Sequence, residues 1–230
     1  MAFRRVTTPS VLLHDDELTR AMASIGMRFA VEPVEEANIE DTLLAASVEG
    51  MEADDLRVLS VLVTWIDVHR MWINADRLTR LVEEVQSKRV QAFWAAIATW
   101  LQKDRRFSRI KKLYDGPRVD LLFVGTKFQV LRKGEDPHFQ GSVLRVPAAT
   151  LRDRKRDVLA PVELVIIHSA YRHRIMMGPT YRADMWAALA GNPTLSASEL
   201  ARVTYGSFAT AWQVRQAFTV IQATHSTEGI

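Results

Sequence analysis

The chain has no cysteine among its 230 residues. That excludes disulfides, thiolate metal sites and cysteine nucleophiles, and it is the usage expected of a cytoplasmic protein. No apolar run approaches the roughly 18 residues that span a bilayer, so no membrane partner is expected. Arg4 and Arg5 are followed by Asp15, Asp16 and Glu17, where a secretory signal would need an apolar segment, so no such signal is expected. The phosphate-cradling glycine loop, the His-Glu-x-x-His pair and the Gly-x-Ser-x-Gly elbow are all missing.

The six histidines, His14, His69, His138, His168, His173 and His225, show no metal-binding spacing. His168 and His173 stand five apart, which takes them off a common helical face. Asp120 is a lone carboxylate in an expected strand. Glu35, Glu36, Glu40 and Asp41 read as a solvated helix start placed near a helix dipole. No catalytic residue, metal or cofactor is assigned, and an enzyme is not expected.

What the chain does have is ordinary globular composition, 48% hydrophobic and 25% charged. Its length suits one large domain or two small ones. The net charge of +3 is unevenly spread. Residues 1–100 hold 10 Lys and Arg against 16 Asp and Glu, a balance of −6. Residues 101–230 hold 20 against 11, a balance of +9. An acidic half and a basic half suggest different partners.

Apolar periodicity predicts a mainly α fold. Leu18, Met22 and Ile25 form a first helix that Gly26 can stop. Ile39, Leu43, Leu44 and Val48 form a stripe closed by Gly50. Asp54 can cap a helix through Leu56, Leu59, Val63 and Ile66, and Asn74 opens another through Leu78, Leu81 and Val85. A nearly all-apolar helix follows from Val90 to about Leu101. These make an acidic helical bundle over 1–115. Two apolar runs, Val119–Val124 and Phe128–Leu131, flank Gly125 and read as a β-hairpin, giving a hairpin-and-loop region over 116–146. Residues 147–230 read as a basic helical domain. Pro147 can start a short basic helix through Leu151–Arg156, and Pro161 another to about Ala170.

The most specific signal lies near the C-terminus. Ser196-Ala197-Ser198-Glu199 is a capping box, in which the serine hydroxyl accepts from an amide three residues on and the glutamate reaches back. Tyr205-Gly206 supplies a turn, with Gly206 free to take positive φ. Ser207 can cap a second helix whose buried stripe is Phe208, Ala211, Val214, Phe218 and Ile221. With Tyr181–Leu189 upstream, this is a trihelical helix-turn-helix unit. Its outward face would carry Ala209, Trp212, Gln213 and Gln216, with Thr210 and Arg215 at its edges, and Ser207, Thr210, Gln213, Arg215 and Gln216 would lie nearest the groove. Gln can read adenine, Arg can read guanine, and hydroxyls can serve phosphate or base. Two basic clusters could track phosphates: Arg105, Arg106, Arg109, Lys111 and Lys112, then Arg152, Arg154, Lys155 and Arg156. Tyr171-Arg172-His173-Arg174 adds an aromatic between cations.

The run Met177–Trp186, with Ala201-Arg202 and Tyr205–Trp212, resembles bacterial helix-turn-helix proteins that partner nucleotidyltransferase-type toxins, the antitoxins of abortive-infection systems. The resemblance implies a phage-defence regulator that binds duplex DNA at its own promoter. It departs from those antitoxins in carrying the helix-turn-helix last. Two functional readings stand side by side. One is a DNA-binding regulator with an acidic half that binds itself or a protein partner. The other is a protein-interaction subunit without base readout.

Overall fold

The computed structural model describes the backbone of residues 12–227 and side chains as far as Ala223. It is mainly helical, as the periodicity predicts. The chain divides into two units, one of residues 8–161 and a smaller one from residue 162 onward. Residues 116–161 therefore pack with the first helices, and the expected boundary at 147 falls inside the larger unit.

In the larger unit, α1 (Asp15–Ser24), α2 (Ile39–Glu52), α3 (Leu56–His69), α4 (Ala75–Glu84) and α5 (Lys88–Trp100) follow one another. Four of the five starts are set by a side chain that satisfies an orphan first-turn amide. Asn38 accepts from Asp41 N, Asp55 from Arg57 and Val58 N, Asn74 from Arg77 N, and Ser87 from Val90 N. The cap of α3 is thus Asp55, one residue beyond the expected Asp54. Asp54 instead holds a left-handed φ of 53° and accepts from Phe123 N at 3.0 Å.

The core of this unit gathers Leu43, Leu62, Trp65, Leu78, Phe93 and Trp94, all buried. Each such side chain contributes about 1.5–3 kcal/mol by leaving water. The two indoles keep hydrogen bonds inside, Trp65 to Ile25 O at 2.7 Å and Trp94 to Ser47 Oγ at 2.9 Å. Gly50 does not end α2. A Cβ there would lie 2.5 Å from Leu59 Cγ, so the glycine lets α3 cross closely. Glu40 and Asp41 are buried rather than solvated. Glu40 accepts from Asn74 N at 2.8 Å, and Asp41 pairs with the buried Arg77 of α4. Sequence periodicity cannot show this, because both acids meet partners more than thirty residues away.

The expected hairpin does not form. Its second arm is helical, α6 (Thr126–Lys133), with Gly125 and Gly134 at φ 87° and 80° on either side. Its first arm, β1 (Val119–Asp120), pairs in parallel with β2 (Leu144–Arg145). Val119 N donates to Val143 O and Leu121 N to Arg145 O. The same stretch is met again where Asp136 N donates to Val146 O and Ala148 N to Gly134 O. Arg89 braces the region: it donates to Met51 O, Leu121 O and Asp54, and its guanidinium lies 3.8 Å from the Phe123 ring centroid. Between Pro147 and Arg156 no α-helix forms. There is one 3₁₀ turn, Lys155–Asp157.

In the second unit, α7 (Pro161–Ile167), α8 (Ser169–Met177), α9 (Tyr181–Gly191), α10 (Ala197–Val203) and α11 (Phe208–Thr227) run to the end of the described chain. His168 breaks the helix expected to reach Ala170, and its Nδ1 accepts from Tyr171 N to start α8. The expected patch at Tyr171–Arg174 is largely internal. Tyr171 is fully buried, which raises its pKa, and Arg174 is buried against Asp184. That pair is bidentate, at 2.7 and 3.0 Å, and ties α8 to α9.

Candidate nucleic-acid interface

The helices α9, α10 and α11 close on one small core of Met185, Leu189, Leu200, Ala211, Val214 and Phe218. The capping box forms with both reciprocal bonds, Glu199 N to Ser196 Oγ at 3.2 Å and Ser196 N to Glu199 Oε2 at 2.8 Å. The Ser196 hydroxyl and amide hold the Glu199 carboxyl below its ordinary pKa. Ser207 caps α11, accepting from Thr210 N at 3.1 Å. The turn between α10 and α11 works differently from the expectation. Tyr205, not Gly206, takes the left-handed φ, at 56°. Gly206 is needed for space, because a Cβ there would fall 2.1 Å from Cε of the buried Met185.

Only the middle of the expected stripe on α11 is buried. Ala211, Val214 and Phe218 face the core, whereas Phe208 and Ile221 are 57% and 45% exposed. At 100° per residue, Phe208, Ala209, Trp212, Gln213, Gln216 and Val220 share the opposite, exposed face. The amides of Gln213 and Gln216 have no hydrogen-bond partner among the described residues. Arg215 does not point outward with them. It is half-buried and donates to Pro193 O in the loop before α10, so it braces the unit. Ser207 and Thr210 are also half-buried, with their hydroxyls bonded to each other at 2.7 Å. The exposed cations of these three helices are Arg182 on α9 and Arg202 on α10, neither of them among the expected DNA contacts.

The structure moves the positive charge away from this unit. Residues 162–230 hold five Lys and Arg against four Asp and Glu. The excess lies at 101–161, with 15 against 7. All nine residues of the two basic clusters belong to the larger unit. Within it several are structural. Arg106 is half-buried and donates to Asp104 and to the carbonyls of Arg70, Met71 and Ile73. Arg109 meets Asp76 at 3.4 Å, Arg154 meets Asp157 at 3.4 Å, and Lys155 meets Asp153 at 3.4 Å. Arg105, Lys111, Lys112, Arg152 and Arg156 are exposed.

Among the described residues no helix is long and apolar enough to cross a membrane, and no group of three or more His, Asp or Glu could hold a metal ion. Compared with protein-family models, curated proteins and solved structures, the chain matches none.

Proposed function

We propose that α9–α11 dock on duplex DNA as a helix-turn-helix and that the protein is a regulator of the antitoxin-like kind. The observation that carries this is the outward face of α11. A capped helix of 20 residues stands on a two-helix base with Ala209, Trp212, Gln213 and Gln216 exposed along it. The major groove, about 12 Å wide, admits such a helix. Gln213 and Gln216 then read adenine edges, Ala209 and Trp212 meet thymine methyls, and Arg182 and Arg202 take phosphates. Arg215 is withdrawn from base reading by its bond to Pro193. With two exposed arginines per copy, the logarithmic salt slope is about −2 per unit.

Fluorescence anisotropy of a labelled mixed-sequence duplex with the full chain at low salt tests it. Replacing both Gln213 and Gln216 by Ala weakens binding about ten-fold or more, since a good bidentate pair discriminates by about 1–3 kcal/mol. Absence of duplex binding, or binding indifferent to both substitutions, ends this reading.

One observation favours a second reading. Phe208, Trp212, Val220 and Ile221 are all 45% exposed or more, on a helix whose sole arginine among the described side chains is committed. Such a face suits a protein interface, where aromatic anchors dominate the energy. A stable complex lost on Trp212→Ala, without DNA retention, establishes it.

A further inference from the structure

Trp100, at the end of α5, divides two cavities of the larger unit. One, of about 580 Å³, is lined by Arg70, Trp100, Lys103 and Arg105. The other, of about 250 Å³, is lined by Trp100, His138, Arg152 and Lys155. Asp67 borders both. The two basic clusters, some forty residues apart in sequence, therefore converge on one half-buried indole. The ring is held edge-on by His138, with centroids 4.7 Å apart and planes at 61°.

Three of the four carboxylates of this cleft pair with Lys or Arg, and the fourth, Asp136, meets an imidazole. Asp67 meets Arg70 at 3.1 Å, Asp104 meets Arg106 at 2.6 Å, Asp136 meets His138 at 3.2 Å, and Asp153 meets Lys155 at 3.4 Å. Lys103 and Arg105 on one side, and Arg152 on the other, are exposed with no side-chain partner among the described residues. An aromatic wall with exposed cations on both sides suits a ligand with a π-face and a phosphate on either side of it.

We propose that this cleft binds a short stretch of single-stranded nucleic acid, with one base stacked on Trp100 and the flanking phosphates on Lys103, Arg105 and Arg152. Base–aromatic stacking is tolerant of sequence, and the cations track the backbone. A duplex keeps its base faces inside and cannot offer one to a recessed indole. A mononucleotide has phosphate on one side only and leaves the second cavity and Arg152 unused. The site lies in a different unit from α11 and does not rest on the duplex reading.

Anisotropy of a labelled oligothymidylate with the full chain at low salt tests it. Trp100→Ala weakens binding about ten-fold or more, and Trp100→Phe retains most of it. Lys103→Ala with Arg152→Ala, both on the surface and folded by circular dichroism, also weakens binding and lowers the logarithmic salt slope by about 1.4. Gln213→Ala with Gln216→Ala leaves oligothymidylate binding unchanged, which separates this site from α11. Four results overturn the proposal: no binding of the oligothymidylate, binding indifferent to Lys103→Ala with Arg152→Ala, competition by thymidine monophosphate as strong as that by the oligonucleotide, or an equal loss of duplex binding on Trp100→Ala.

Discussion

The outward face of α11 and the cleft at Trp100 divide between them what a nucleic-acid binder usually keeps together. The helix has shape and amides but almost no free charge. The cleft has free charge and an aromatic wall but no projecting helix. A balance taken over 101–230 makes the C-terminal half look basic, yet nearly all of that excess sits before residue 162. Charge balances carry meaning only once the folding units are known. The units also differ in how they are held. The larger buries two indoles and three phenyl rings. In the smaller, a cluster of six buried side chains joins α9–α11, and one buried ion pair ties α8 to α9.

The sharpest way to expose that difference is Asp184→Ala. It leaves Arg174, 1% exposed, without its carboxylate. Removing the carboxylate of a buried ion pair costs about 3–5 kcal/mol. Hydrogen exchange is expected to show the amides of α9–α11 losing protection by that amount. A loss under 1 kcal/mol would show the smaller unit to be better supported than its core suggests.

The next effect acts in the larger unit. Burial lowers the pKa of His69 from 6.5 to about 4, despite the opposing bond from its Nε2 to Leu159 O. Above the unfolded value both states are neutral and stability is complete. From pH 6.5 down to about 4 the unfolded chain takes the proton first, so stability falls, and below that the loss is full. The total is on the order of 3 kcal/mol. Urea unfolding at several pH values reads it, and His69→Gln should flatten the curve in this window. An unchanged slope excludes His69 as the cause.

The smallest effect tests the legible part of the site. Ser196→Ala removes the cap of α10 and costs about 1 kcal/mol, measured by thermal unfolding.

Local signals carried furthest. The Ser196–Glu199 box, the Ser207 and Asn74 caps and the glycine stop at Gly26 are decided within a few residues, and each stands where the sequence places it. What needed distant partners was hidden. Phe128–Leu131 is a short apolar run that suits strand or helix alike, and it forms α6 between Gly125 and Gly134 with Phe128 and Leu131 exposed. The pairing of Val119 with Leu144 has no local signature. Arg215 and Arg106 look like free cations until the carbonyls of Pro193 and of Arg70, Met71 and Ile73 come beside them. Trp100 gives no hint of a site, because the other walls come from α3 and from residues 103–106, 136–139 and 151–155.

The stretch around β2 has a consequence for how this chain tolerates change. It is sewn on one side to Val119–Leu121 and on the other to Gly134–Asp136, while Arg89 pins the exit at Leu121. Everything from Leu122 to Lys133 is thus an excursion whose two ends are fastened by atoms outside it. Its tip carries Val124 and Leu131, 84% and 87% exposed, into solvent. Insertions, deletions or a grafted epitope belong in α6 beyond Thr126, because neither the seam that closes the excursion nor the contacts of Phe123 with Asp54 and Arg89 depend on those residues.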